Sequence, residues 1–260
     1  MIKGLGSFTL IKNEGLFIKA HLDSWLPHLA QMVFFDGNST DGTLEIIKQA
    51  QQGEFGSKIK LFENKDPKNL EEDYTKLSNE CMWSLDTDFA TFLHPDMFYV
   101  SGGANITDDA MAATMNMKSY AGEPNGIIYE IKGRGEKWKN IYRLRNPNMG
   151  AHYFGTYGAQ NEDTYFSEIT GDCHEHYGQS LDLYPYNIYN SNLLVAHYSD
   201  VRPLARRLDR MTKCLINQGY TPEQAKTAAP LHPRVSFKEG QGFSFIPVEV
   251  PVFLGEKLEV

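Results

Sequence analysis

Two short stretches carry side chains suited to acid, base or metal chemistry. Met32–Phe35 is an apolar run that ends in Asp36 and passes into Gly37-Asn38-Ser39-Thr40-Asp41-Gly42-Thr43. Phe89–Leu93 is a second apolar run, ending in His94-Pro95-Asp96. A carboxylate that closes a buried run cannot stay in the core without a partner, so each acid belongs at the mouth of a strand. The carboxyl ends of strands are where open α/β sheets bind ligands. Asn13-Glu14 closes a third run, Leu5–Ile11, and would add polar groups to the same sheet edge. His94, Asp96 and the later His197, which follows Leu193–Ala196, offer nitrogen and oxygen donors suited to Mn²⁺ or Mg²⁺. Structural roles compete with each of these. Asp36 and Asp41 could tie a turn and cap a helix, His-Pro-Asp could be a turn alone, and His197 could be a satisfied core histidine.

The elements that would position these groups follow from apolar spacing. Strands are expected at Leu5–Ile11, Met32–Phe35, Lys58–Phe62 and Phe89–Leu93. Between them Ile18, Leu22, Trp25 and Leu26 share one helical face that Pro27 ends. Asp41 caps a helix carrying Leu44, Ile47 and Lys48, and Leu70, Tyr74, Leu77, Cys81 and Leu85 form a third stripe. Strands alternating with helices predict a mostly parallel sheet. Beyond Asp96 the expected elements are a helix over Asp108–Lys118 and an antiparallel pair, Gly126–Lys132 with Trp138–Arg145. Asn146–Pro185 suits active-site loops, and a short strand Leu193–Ala196 ends at His197. An amphipathic helix carries Leu204, Leu208, Met211 and Leu215, and Thr221 and Gln224 form a capping box. The segment Phe243–Leu254 is expected to be extended.

Composition narrows the function classes. A chain of 260 residues with 41% hydrophobic and 12% aromatic content can bury a sizeable core. The formal charge of −8 argues against indiscriminate nucleic-acid binding, yet allows an anionic substrate held through a cation. Cys81, Cys173 and Cys214 are too few and too scattered for a disulfide framework or a zinc site. Met1–Glu14 lacks the apolar region of a signal peptide, and no apolar run approaches the roughly 20 residues of a membrane span. A soluble, cytoplasmic protein is expected.

The segments IKNEGLFIKAHLDSWLP, VFFDGNSTDGTLEIIKQ and FATFLHPDMF resemble, in order and spacing, the opening of family 2 glycosyltransferases of the GT-A fold. The resemblance covers about the first hundred residues. It implies a Rossmann-like, mostly parallel sheet flanked by helices, with a smaller mixed or antiparallel region on the acceptor side. It divides the chain into a nucleotide-sugar-binding half at 1–100, an acceptor and catalytic half at 101–220, and an extension at 221–260. It implies an inverting, divalent-metal-dependent transfer from a UDP-linked sugar to an acceptor hydroxyl. Asn13 and Glu14 would lie at the nucleotide pocket, Asp36 on the uracil or ribose, and Lys76 and Asn79 near the donor. Asp96 would match the second acid of the D-x-D metal motif, with His94 in place of the first and His197 as a third ligand. That replacement bears on metal affinity and metal choice, not on the fold.

IYRLRNPNMG, GDCHEHY and LLVAHYSDVRP resemble the later part of some members, in which a carboxylate deprotonates the acceptor. Glu175 is the first candidate for that base and Asp163 the second. The acceptor is expected to be a glycan or other small molecule. Basic residues at 132–145 and 202–210 also allow a groove for a modified DNA base. A nucleotidyltransferase and a non-catalytic nucleotide-sugar-binding module are the alternatives. The two base candidates separate by kinetics: Glu175→Gln should cut kcat by a hundredfold or more and leave donor affinity nearly unchanged. A loss seen only with Asp163→Asn would move the base there.

Overall fold

Helix and strand alternate through the first hundred residues because each apolar run is the right length for one element and each break is a turn sequence. The computed structural model describes residues 4–64, 74–103, 106, 112–124, 126–132, 137–143, 188–237 and 244–248. Its strands are β1 (Leu5–Ile11), β2 (Gln31–Asp36), β3 (Ile59–Glu63), β4 (Phe89–Phe92), β5 (Met97–Ser101), β6 (Ala112–Gly122), β7 (Ile128–Lys132), β8 (Lys137–Arg143), β9 (Ile188–Val201) and β10 (Ser244–Val248). Its α-helices are α1 (Ile18–Trp25), α2 (Thr43–Ala50), α3 (Tyr74–Trp83), α4 (Leu204–Asn217), α5 (Pro222–Ala228) and α6 (Pro233–Ser236).

The chain divides into two compact units, one of Met1–Asn116 with Lys137–Val195 and one of Met117–Glu136 with Ala196–Val260. In the first, β4, β1, β2 and β3 lie side by side and all parallel, and β8 adds an antiparallel strand beside β4. This is the mostly parallel α/β sheet that the sequence predicts. All seven residues of β1 are buried, as a strand covered on both faces requires. Helix α1 contributes Ile18, Leu22, Trp25 and the following Leu26 to the core, the face that their spacing marks out. Helix α3 packs on β1 and β2 with Leu77 and Cys81 buried.

Three expectations give way. The segment expected as a helix over Asp108–Lys118 contains most of the long strand β6 from Ala112 onward. Ala and Met suggest a helix, but Ala113, Met115, Met117, Ser119 and Ala121 recur at period two and are all buried. Packing on that face overrides propensity. The segments expected as a hairpin do not pair with each other. Strand β8 bonds to the first half of β6, whereas β7 bonds to its second half and to β10. Strand β9 runs through His197 to Val201 instead of ending before it.

In the second unit, α4 buries Met211 and Leu215 against Ala225, Ala229 and Val235. The expected capping box forms at α5, with the Gln224 amide donating to Thr221 Oγ1 and the Thr221 amide to Gln224 Oε1. The extended segment expected over Phe243–Leu254 is strand β10 for Ser244–Val248, and its remainder lies outside the described residues.

Within the first unit, β9 is tied to β6 by the Ser191 hydroxyl donating to Thr114 O and the Asn116 amide donating to Ser191 O. Just after β5, Gly102 has φ +85° and passes so close to β9 that an added Cβ would sit 2.1 Å from Asn192 O. Gly102→Ala should therefore destabilise the chain by more than about 2 kcal/mol. A urea midpoint equal to wild type would show that this crossing tolerates a side chain.

Candidate functional site

The site is built from the loops that leave the carboxyl ends of β1, β2 and β4. In the order β4-β1-β2-β3, chain progression reverses between β1 and β4, which is the switch point where open α/β sheets hold ligands. Asn13 and Glu14 leave β1, Asp36 ends β2, and His94-Pro95-Asp96 leave β4. Because β1 lies between β2 and β4, the two acids do not follow neighbouring strands. Their strands are two spacings apart, about 10 Å.

The β1 and β2 loops are bonded into one body. Asn13 takes a left-handed backbone (φ 58°), which Asn tolerates better than most residues. Its amide donates to Ser39 Oγ at 2.9 Å, and its Oδ1 accepts from the Thr40 amide at 2.8 Å. The Glu14 amide donates to Thr43 Oγ1 and the Gly15 amide to Asp41 Oδ2. Glu14 O in turn accepts from the Phe17 and Ile18 amides, opening α1. Asp41 Oδ1 takes the Thr43 amide and hydroxyl, while Gly42 (φ 89°) is the N-cap of α2. Burial pushes the Asp41 carboxyl up, but the Thr43 hydroxyl with the Gly15 and Thr43 amides outweighs it and leaves it below its ordinary value.

Asp36 behaves differently. It is 1% exposed, and its Oδ2 accepts the Ser39 amide at 3.0 Å. Its Oδ1 is buried with no hydrogen-bond partner among the described residues. Asp41 thus ties the turn through both oxygens, and Asp36 through Oδ2 alone.

Asp96 sits in a four-residue turn closed by the Met97 amide donating to His94 O at 3.0 Å. It is buried, at 3% exposed, and His94 is half-buried with its ring edge-on to Phe92 at 4.8 Å. His197 is buried on the part of β9 that belongs to the second unit. Lys76 and Asn79 lie one turn apart on α3, and their side chains are outside the described set. Glu175 and Asp163 lie outside the described residues altogether. Among the described residues no three His, Cys, Asp or Glu side chains gather as a metal-binding group. No helix among them is long and apolar enough to cross a membrane.

The basic run at 202–210 is less available than its sequence suggests. Arg202 and Arg207 are buried, and Arg206 and Arg210 are exposed. The Arg207 guanidinium donates to Arg202 O, Val235 O and Glu123, and lies over the Phe237 ring. Of the 132–145 run, Lys132 pairs with Glu130.

No protein-family model and no curated protein matches the sequence. Solved structures are similar in fold. The mannosyltransferase PcManGT from Pyrobaculum calidifontis, in complex with GDP-Man and Mn²⁺, is similar with a TM-score of 0.53 at 11% identity, over 91% of this chain and 74% of that one. TarS 1-349 from S. aureus in complex with UDP overlaps with a TM-score of 0.41 at 14% identity, over 92% and 73%. GalNAc-T7 with UDP, GalNAc and Mn²⁺ overlaps with a TM-score of 0.43 at 11% identity, over 98% and 56%. The first likeness is one of fold, and the other two are too loose to add to it. The fold is of the GT-A type, α/β with a four-stranded parallel sheet beside a mixed one.

One residue at this site escapes sequence reasoning. His21 lies on the buried face of α1, three residues after Ile18 and four before Trp25. A histidine inside an apolar stripe is the only signal it gives. Burial pulls its pKa from 6.5 to about 4, although the Met97 carbonyl and Asp96 both act to raise it. Below pH 6.5 the unfolded chain takes up a proton that the folded chain refuses, so stability falls as pH drops towards 4. The total is roughly 3 kcal/mol. Urea midpoints at pH 7.5 and 4.5 measure this loss, and His21→Phe should shrink it. An unchanged loss in the variant would place its source elsewhere.

Proposed function

We propose that this chain is an inverting, divalent-metal-dependent glycosyltransferase that moves a sugar from a nucleotide-diphosphate sugar, UDP-linked in our reading, to a hydroxyl of a glycan or other small acceptor. The observation that carries the reading is Asp36: a carboxylate buried at the carboxyl end of β2, one strand from the switch point, whose Oδ1 has no hydrogen-bond partner among the described residues. An unmatched buried acceptor is costly, and a nucleoside supplies the N–H or O–H donor it lacks. Asn13 and Glu14, locked to the same loop, would stand beside the nucleoside. Lys76 and Asn79 on α3 would approach the donor from beside it.

Asp96 and His94 present an oxygen and a nitrogen donor from one turn, a combination whose chemistry fits Mn²⁺ or Mg²⁺. When bound, such an ion would supply positive charge against the diphosphate as the sugar departs. Asp36 ends β2 and Asp96 follows β4 on the far side of β1, an arrangement that suits an extended ligand gripped at both ends. Glu175, or Asp163 in its place, would draw the proton from the acceptor hydroxyl as it attacks from the face opposite the leaving group. That single displacement inverts the anomeric centre. A nucleotidyltransferase is less favoured, because the loop after β1, Lys12-Asn13-Glu14-Gly15, is short of the glycines that wrap phosphates and is bonded to its neighbour instead. A nucleic-acid acceptor loses support because Arg207 is spent on internal bonds.

Thermal shift with UDP and GDP, each with and without Mn²⁺, tests donor binding by mass action, and release of nucleotide from its sugar tests catalysis. Asp36→Asn should weaken nucleotide binding about tenfold whether or not metal is present. Asp96→Asn should abolish metal-dependent turnover and leave the melting temperature within a few degrees. Near-normal turnover in Asp96→Asn would remove that residue from the role. Nucleotide binding without any transfer or donor hydrolysis would make the chain a binding module.

A further inference from the structure

His21 is a fully buried group that the reaction as proposed does not use. Its Nδ1 lies 2.8 Å from the carbonyl oxygen of Met97, and the Trp25 indole Nε1–H donates to the same oxygen at 2.9 Å. The two side chains are one turn apart on α1, so they approach that oxygen together. Met97 is the residue after Asp96, and its amide closes the turn back to His94 O. The residue that follows Asp96 is therefore bonded to the turn through its N–H and to the helix through its C=O. A carbonyl offers two lone pairs, and both are engaged.

The same geometry sets the tautomer. Because Met97 O can only accept, the neutral ring carries its proton on Nδ1 and leaves Nε2 as a bare acceptor. That Nε2 is buried with no hydrogen-bond partner among the described residues. A phenylalanine would fill the same space without an unmatched nitrogen, so packing alone gives no reason for histidine here. The clamp on Met97 does give one.

We propose that His21 and Trp25 form a positioning pair for Asp96, holding the exit of the His-Pro-Asp turn so that the carboxylate points in one direction towards the ion and the diphosphate. This rests on the reading of Asp96 as the ion-binding acid. Neither side chain touches the ligand; both act through the Met97 carbonyl. The ring stays neutral throughout the working range, consistent with the lowering of its pKa to about 4 by burial.

The test measures Kd for UDP and for GDP by calorimetry on the full chain, with and without Mn²⁺, at pH 7.5. His21→Phe keeps the ring and removes the donor. It should reduce the Mn²⁺-dependent gain in affinity tenfold or more and leave metal-free affinity within twofold. His21→Asn, whose amide can still donate to Met97 O, should recover at least half of that gain on a logarithmic scale. If His21→Phe does not fold, Trp25→Phe removes the other donor and gives the same comparison. Wild-type Mn²⁺ dependence in the folded donor-less variant would overturn the positioning role. A parallel loss of metal-free and metal-dependent binding would overturn it too, since that marks general packing damage. No Mn²⁺ gain in the wild-type chain would instead overturn the reading of Asp96, and the pair's role with it.

Discussion

The bonding of the β1 loop to the β2 loop is what the rest of the first unit depends on. Four backbone amides or side-chain oxygens from Asn13, Glu14 and Gly15 meet Ser39, Thr40, Asp41 and Thr43. Each such bond contributes modestly, about 1 kcal/mol net. Together they fix two loops that would otherwise move independently at the end of a parallel sheet. They also start two helices, because Glu14 O accepts the first amides of α1 and Asp41 and Gly42 open α2. Since the loop holds itself together, Asp36 need give only one oxygen to it.

That division of labour explains why two aspartates five residues apart have different natures. Asp41 is exposed and bonded on both oxygens to groups of the loop. Asp36 lies under it, at the last position of β2, paired in register with Ile11 and Glu63. A buried carboxylate with a lone pair unmatched is a local cost to folding, and such costs persist where a ligand repays them on binding. Across β1, the turn of Asp96 is likewise held from behind, by α1. Both acids thus sit on braced backbone, one on either side of β1.

The first four strands and the first three helices were legible because apolar spacing, turn residues and strand ends all agree there. The same agreement located Asn13, Asp36 and Asp96 at one sheet edge. It did not reveal that β1 separates the two acids, since strand order follows from pairing and not from local pattern. Beyond Asp96 the local signals conflict. Met115 and Met117 favour a helix by propensity, yet their alternation with Thr114 and Asn116 suits the strand that forms. Strand β9 was underestimated for a related reason: Asn190, Ser191 and Asn192 look like a turn, but Ser191 and Asn192 have hydrogen-bond partners on β6 and just beyond β5. His21 was missed because a histidine on an apolar face carries no sign of the carbonyl it meets some seventy residues later in the chain.

Charge clusters deserve the same caution as secondary structure. Four arginines within nine residues suggest a surface for an anionic polymer, and the chain's net charge of −8 already weighs against that. In the fold, the helical spacing of α4 turns Arg207 inward while Arg206 and Arg210 remain on the outside. Arg207 then serves as a hub for Arg202 O, Val235 O, Glu123 and Phe237, with Nε, Nη1 and Nη2 each bonded to a partner from a different segment. The positive charge that a polymer would meet is thereby halved along this run. Along this run, then, charge is used to hold the second unit together at least as much as it is offered to solvent.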